Sequence, residues 1–149
     1  MAQNYFAPLA SEKRLGTHPV FTQAPAFGTV TANVTNNLPG TGLHRKAVLA
    51  RLSVNLKTKP VDADGTVILR IVKRKASSDT ETVLTQDFDL EGFTTVDETQ
   101  ALSFVTTLVD ADFDFDEGDS IFPRVVSNSA AIDTQAVGVQ IQAEFLLRR

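Results

Sequence analysis

Residues 110–119 gather the densest set of groups that could do chemistry. Asp110, Asp112, Asp114, Asp116, Glu117 and Asp119 place six carboxylates in ten positions. Four of them recur at every second residue, which on an extended segment points them to one side. Hard cations such as calcium accept oxygen ligands of this kind. Asp112, Asp114 and Asp116 are therefore the metal candidates, but weak ones. An EF-hand loop counted from Asp112 would need Gly at its sixth position and Glu at its twelfth. The chain has Glu117 and Pro123 there. The reading that competes is a solubilising turn that blunts a sheet edge, anchored inward by Phe113 and Phe115. No metal or other cofactor is expected.

Other chemistries find less. Paired carboxylates could serve glycoside hydrolysis. Sugar-handling β-modules, however, present aromatic platforms, and this chain has no Trp and a single tyrosine, Tyr5. His18 and His44 are the two histidines, each without an acidic residue or cysteine at ligand spacing. They read as ordinary surface residues. No Gly-x-Ser-x-Gly elbow occurs, and Gly40-Thr41-Gly42 lacks the flanks of a phosphate loop. The chain is not expected to be an enzyme.

Composition bounds the rest. A chain of 149 residues suits one domain and a tail, and at that size roughly 70% of the unfolded surface is buried on folding. Cysteine is absent, so neither disulfides nor thiolate metal sites arise. The net charge of −4 gives no gain from phosphate counterion release, so nucleic acid is not an expected partner. Charge is nevertheless uneven. Arg45, Lys46, Arg51, Lys57 and Lys59 form a basic stretch that could face the acidic one across a homo-oligomeric interface, or simply be solvated. The first nine residues lack the pattern of a signal peptide. No run approaches the ~18 apolar residues of a spanning helix, so no membrane partner is expected.

The elements that must hold these residues read as strands. Residues 137–147 alternate cleanly: Val137, Val139, Ile141, Ala143, Phe145 and Leu147 on one face, with Gln140, Gln142 and Glu144 on the other. That period of two defines a strand with one buried face. Residues 46–56 repeat it, with Val48, Ala50, Leu52, Val54 and Leu56 inward and Leu49 the exception. Further strands are expected at 29–35, 66–73, 82–88, 102–108 and 120–126. Pro123 removes a ladder donor, so its strand should lie at an edge or bulge there. Seven or so short strands with turns between them favour an antiparallel sandwich or barrel. Periodicity does not choose among an immunoglobulin-like sandwich, a jelly roll and a barrel.

Residues 1–26 differ. Pro8, Pro19, Pro25 and Gly16 break any alternation, yet Tyr5, Phe6, Leu9, Leu15 and Phe21 are large anchors. An extended N-terminal arm is expected there, lying on its own domain or on a partner, followed by a β domain over 27–149.

From residue 45 onward the chain resembles the jelly-roll modules of tailed-phage structural proteins. The resemblance rests on the strand 47–56, the Pro60 turn, the strand from Gly65 to Lys73, the turn Phe115-Asp116-Glu117-Gly118-Asp119-Ser120-Ile121, and the closing Val137-Gly138-Val139-Gln140-Ile141. Pro123 and the turn at 73–79, which lacks Asn-Gly, depart from the usual pattern. The resemblance implies an all-β antiparallel sandwich of jelly-roll type without catalytic residues. It is strongest toward capsid decoration, or cement, proteins. These are typically homotrimers that clamp neighbouring major capsid protein subunits, often through terminal arms. By that analogy Tyr5, Phe6, Leu9, Lys13, Arg14, Leu15 and Phe21 are the candidate capsid contacts. The protein would be made in the host cytoplasm and reside on the capsid surface of the virion. The alternative the resemblance allows is a head- or tail-fibre module that binds a host surface.

Overall fold

A computed structural model describes residues 14–21, 34–37, 40–61, 66–94, 98–127 and 140–147. Of residues 14–21, 34–36, 127, 140 and 147 only the backbone is described. In chain order the strands are β1 (Arg14–Phe21), β2 (Val34–Asn37), β3 (Thr41–Gly42), β4 (Ala47–Asn55), β5 (Val67–Arg74), β6 (Glu81–Val83), β7 (Phe88–Asp89), β8 (Gln100–Ala101), β9 (Asp114–Phe115), β10 (Ser120–Ser127) and β11 (Gln140–Leu147). Single 3-10 turns at Leu90–Gly92 and Asp110–Phe113 are the helical pieces among the described residues.

The strands form two antiparallel sheets. One runs β1-β11-β4-β8, with β9 also on β4; the other runs β2-β10-β5-β6, with β3 on β10 and β7 on β5. The pairs β2 and β3, β6 and β7, and β8 and β9 each share one side of a single neighbour. They act as interrupted strands, and the eleven pieces fill eight positions. Renumbered by position, the sheets read 1-8-3-6 and 2-7-4-5. Successive strands alternate between layers, with one hairpin inside the second sheet, which is the strand order of a jelly roll. The fold is a β-sandwich.

The closing strand is central to its sheet, between β1 and β4. Ile141, Ala143 and Phe145 are buried in the core cluster as their alternation requires. They meet Leu52 and Val54 from β4, and Leu69, Ile71, Ile121 and Val125 from the facing sheet. Phe145 meets Phe115 edge-to-face at 5.3 Å. Burying one such side chain contributes about 1.5–3 kcal/mol.

Four expectations change. Ala50 is not inward in step with Leu52. Opposite β11, Glu144 faces Arg51 while Phe145 faces Leu49, so Ala50 is the extra residue of a bulge. The bulge switches faces and puts Leu49 in the core. Residues 102–108 are not a strand. Leu102 N donates to Leu52 O in one sheet (3.0 Å) and Val105 N to Leu84 O in the other (3.0 Å), so the segment crosses between layers and belongs to neither ladder.

Pro123 is neither at an edge nor in a bulge. Strand β10 is paired on both sides, but on one side β3 ends opposite Ile121 and β2 starts opposite Arg124. Pro123 sits at that gap, where no donor is needed. The strand expected at 29–35 is described from Val34 and runs on through Asn37, which the sequence placed in a loop. Residues 29–33 lie outside the described residues.

Candidate functional site

The acidic connection is a structural crossing between layers. The Asp112 carboxylate accepts Val109 N at 2.9 Å and closes the 3-10 turn. Asp119 is buried, and its two oxygens accept Ala76 N (3.0 Å) and Asp116 N (2.9 Å). Gly118 lies between them at φ +93°, a conformation that costs glycine little. Asp116 turns outward, 3.9 Å from Lys46 and 4.0 Å from Lys75. Asp112, Asp114 and Asp116 are thus not gathered around one point. Among the described residues no group of three or more His, Asp or Glu is placed to hold a metal ion.

Lys73 reaches this turn from β5. Its alternation with Leu69 and Ile71 aims it inward at the end of β5, and it is buried. The ammonium donates to the carbonyls of Asp112 (3.2 Å) and Asp114 (2.5 Å) and lies 5.0 Å from the Phe115 ring centroid. Burial holds its pKa below the usual lysine value, with the negative charge of Asp119 opposing that shift. A tethered amine therefore pins the turn.

The candidate contacts of the arm divide. Arg14, Leu15 and Phe21 belong to β1, which runs antiparallel to β11. Part of the stretch expected to be an arm is therefore a strand of the domain's own sheet, despite Pro19 and Gly16 within it. Tyr5, Phe6, Leu9 and Lys13 lie outside the described residues. His18 is on β1, and His44 is exposed in the loop before β4. The basic stretch does not form one patch. Arg45 and Lys46 precede β4, Lys57 and Lys59 follow it, and Arg51 sits mid-strand opposite Glu144.

A cluster on the outer face of the second sheet was not anticipated. Arg74 and Arg124 hold the two oxygens of Glu81 at 2.7 and 2.6 Å. Both guanidinium carbons lie 5.5 Å from the Phe122 ring centroid. Phe122 is only 7% exposed although it belongs to the outward set and not to the core cluster. The guanidinium planes supply its cover. Arg124 also donates to Asn37 Oδ1 at 2.7 Å. Hydrogen bonds from Arg124 and then Arg74 hold the Glu81 carboxyl below its ordinary value of 4.5. Along the same face Arg70 grips Asp87 at 2.5 and 2.9 Å. The sequence signal was the period of two itself. Phe122 and Arg124 share a parity, opposite to that of Ile121 and Val125, so this Phe could be assigned to the arginine face.

Two cavities lined by described residues open on the outer faces. One of about 300 Å³ lies beside Phe122, under Arg74 and the Gly40–Gly42 segment. Another of about 370 Å³ lies on the first sheet, between Arg51, Ser53, Gln142 and Glu144.

No protein-family model matches the chain, and no curated protein does. Among solved structures, the chain is similar to one in a structure of infectious bursal disease virus, Gx strain. Sequence identity is 12%, the TM-score is 0.41, and the match covers 91% of this chain. It covers 31% of the viral chain, so this protein spans less than a third of that length.

Proposed function

We propose that this protein is a phage capsid decoration protein that binds the major capsid protein lattice as a homotrimer and stabilises the head from its outer surface. The observation that carries the reading is the turn from Phe115 to Ile121, which belongs to the sequence resemblance. Its residue types have distinct physical roles. Phe115 is packed in the core, Gly118 takes a positive φ, Asp119 clamps two backbone amides, and Ile121 returns to the core. The matching residues are the means of crossing between layers, which supports likeness to those modules in fold. The role follows by analogy, because fold alone does not fix function.

The mechanism is mass action. A ligand that binds only the assembled lattice raises its stability, and a trimer that spans several subunits adds avidity. In this reading residues 1–13 reach from β1 to the lattice, with Tyr5, Phe6, Leu9 and Lys13 as contacts. Arg14, Leu15 and Phe21 would contribute only from the edge strand.

The test is a truncation that spares β1. A protein lacking residues 2–13 is expected to fold with the full chain's Tm and to bind phage heads more weakly in co-sedimentation. Unchanged affinity would show that the arm is not the capsid contact.

A further inference from the structure

We propose that the cavity beside Phe122 is a binding site for a carboxylate carried by an acidic peptide segment of another protein chain. This goes beyond the capsid reading and does not depend on it.

Two neighbouring glycines differ in what they leave open. Gly40 is required by packing, because a Cβ there would run into the Ile121 carbonyl and the Phe122 side chain. Gly42 has no such reason. A Cβ there would meet nothing nearer than Asp119 O at 4.0 Å, and its φ is not positive. Glycine in a strand costs conformational entropy. What its missing side chain preserves is space. Gly42 pairs with Ser120, two residues before Phe122 and on the same face. A side chain at Gly42 would project into the cavity.

The lining, independently, is rich in donors. Arg74 is engaged through Nη2 by Glu81 and through Nε by Asp79, and neither contact uses Nη1. Asn37 Oδ1 is taken by Arg124, which leaves the amide N–H₂ to donate. Thr41 and Ser120 line the same space, and Ser120 shares the face of Phe122. Arg74 and Arg124 are already balanced by Glu81 and Asp79, so attraction by net charge is small. Selection falls to the planar guanidinium and the amide, whose geometry suits a carboxylate. At about 300 Å³ the cavity has room for a side chain and adjoining backbone, and it opens on a sheet face that a chain segment can cross.

The test is an NMR titration of the full chain with a capped Gly-Glu-Gly-Glu-Gly peptide, its Gln counterpart and free glutarate. Saturable shifts of the Thr41, Gly42 and Ser120 amides are expected with the Glu peptide, at least about tenfold weaker with the Gln peptide and with glutarate. Gly42→Val should keep the wild-type Tm and lose the saturable shifts, and Arg74→Gln should weaken them. No saturable shift, equal binding of the Gln peptide, equal binding of glutarate, or unchanged binding by Gly42→Val would each overturn the proposal. Unfolding of Gly42→Val would also contradict it, since the site requires open space at that position.

Discussion

At the scale of single residues, the physical roles do not follow residue type. Gly40 and Gly42 differ by two positions and in what surrounds them. Gly40→Ala is expected to destabilise by about 1–3 kcal/mol or more, measured by urea unfolding, because backbone must move to admit the Cβ. Glu81 illustrates the sign of a charge effect. Its folded pKa lies below 4.5, so its contribution is fully present above the unfolded value and is lost as pH falls through the lower folded value. Glu81→Gln should therefore lower Tm at neutral pH and match the wild type at strongly acid pH, giving a flatter acid limb. A constant Tm difference across the whole range would contradict that assignment. Neither role was legible in the sequence. The tightness at Gly40 comes from β10, far along the chain, and the pairing of Glu81 with Arg124 spans 43 residues.

At the scale of elements, alternation is enough to find β4 and β11, apolar content marks β5 and β10, and the competing reading of the acidic segment, a turn anchored inward by Phe113 and Phe115, agrees with their packing. Alternation failed where another constraint took over. At Ala50 a bulge changed the phase. At residues 102–108 the chain left one ladder for the other. At Thr85 a hydroxyl, accepting Ile71 N at 3.0 Å, stands in for a backbone partner between β6 and β7. β1 was hidden by its Pro and Gly content, yet an edge strand tolerates both. The acidic turn is held by the Lys73 ammonium through its backbone carbonyls. Lys73→Met should cost about 1–3 kcal/mol by leaving the Asp112 and Asp114 carbonyls without their donor. Hydrogen exchange should then quicken in residues 110–119 while β11 stays protected. Uniform loss of protection would mean that Lys73 supports the whole fold and not this turn.

At the scale of the whole molecule, the sandwich leaves two outer faces of different character. The first sheet presents Arg51, Ser53, Gln142 and Glu144, which are polar and locally paired. The second presents arginines over Phe122 and a cavity. With β1 part of the sheet, the boundary of any arm moves to residue 13. Deleting residues 2–21 should lower Tm, because it strips a neighbour from the central strand β11, whereas deleting 2–13 should not. Equal Tm for the two truncations would mean that β1 adds no stability. The decisive measurement for the decoration role is the number of copies bound per phage head at saturation, by quantitative co-sedimentation. A saturable number in multiples of three that matches a set of capsid symmetry axes is expected, with heads more resistant to heat once loaded. A few copies confined to one vertex, or no binding to heads, would contradict it.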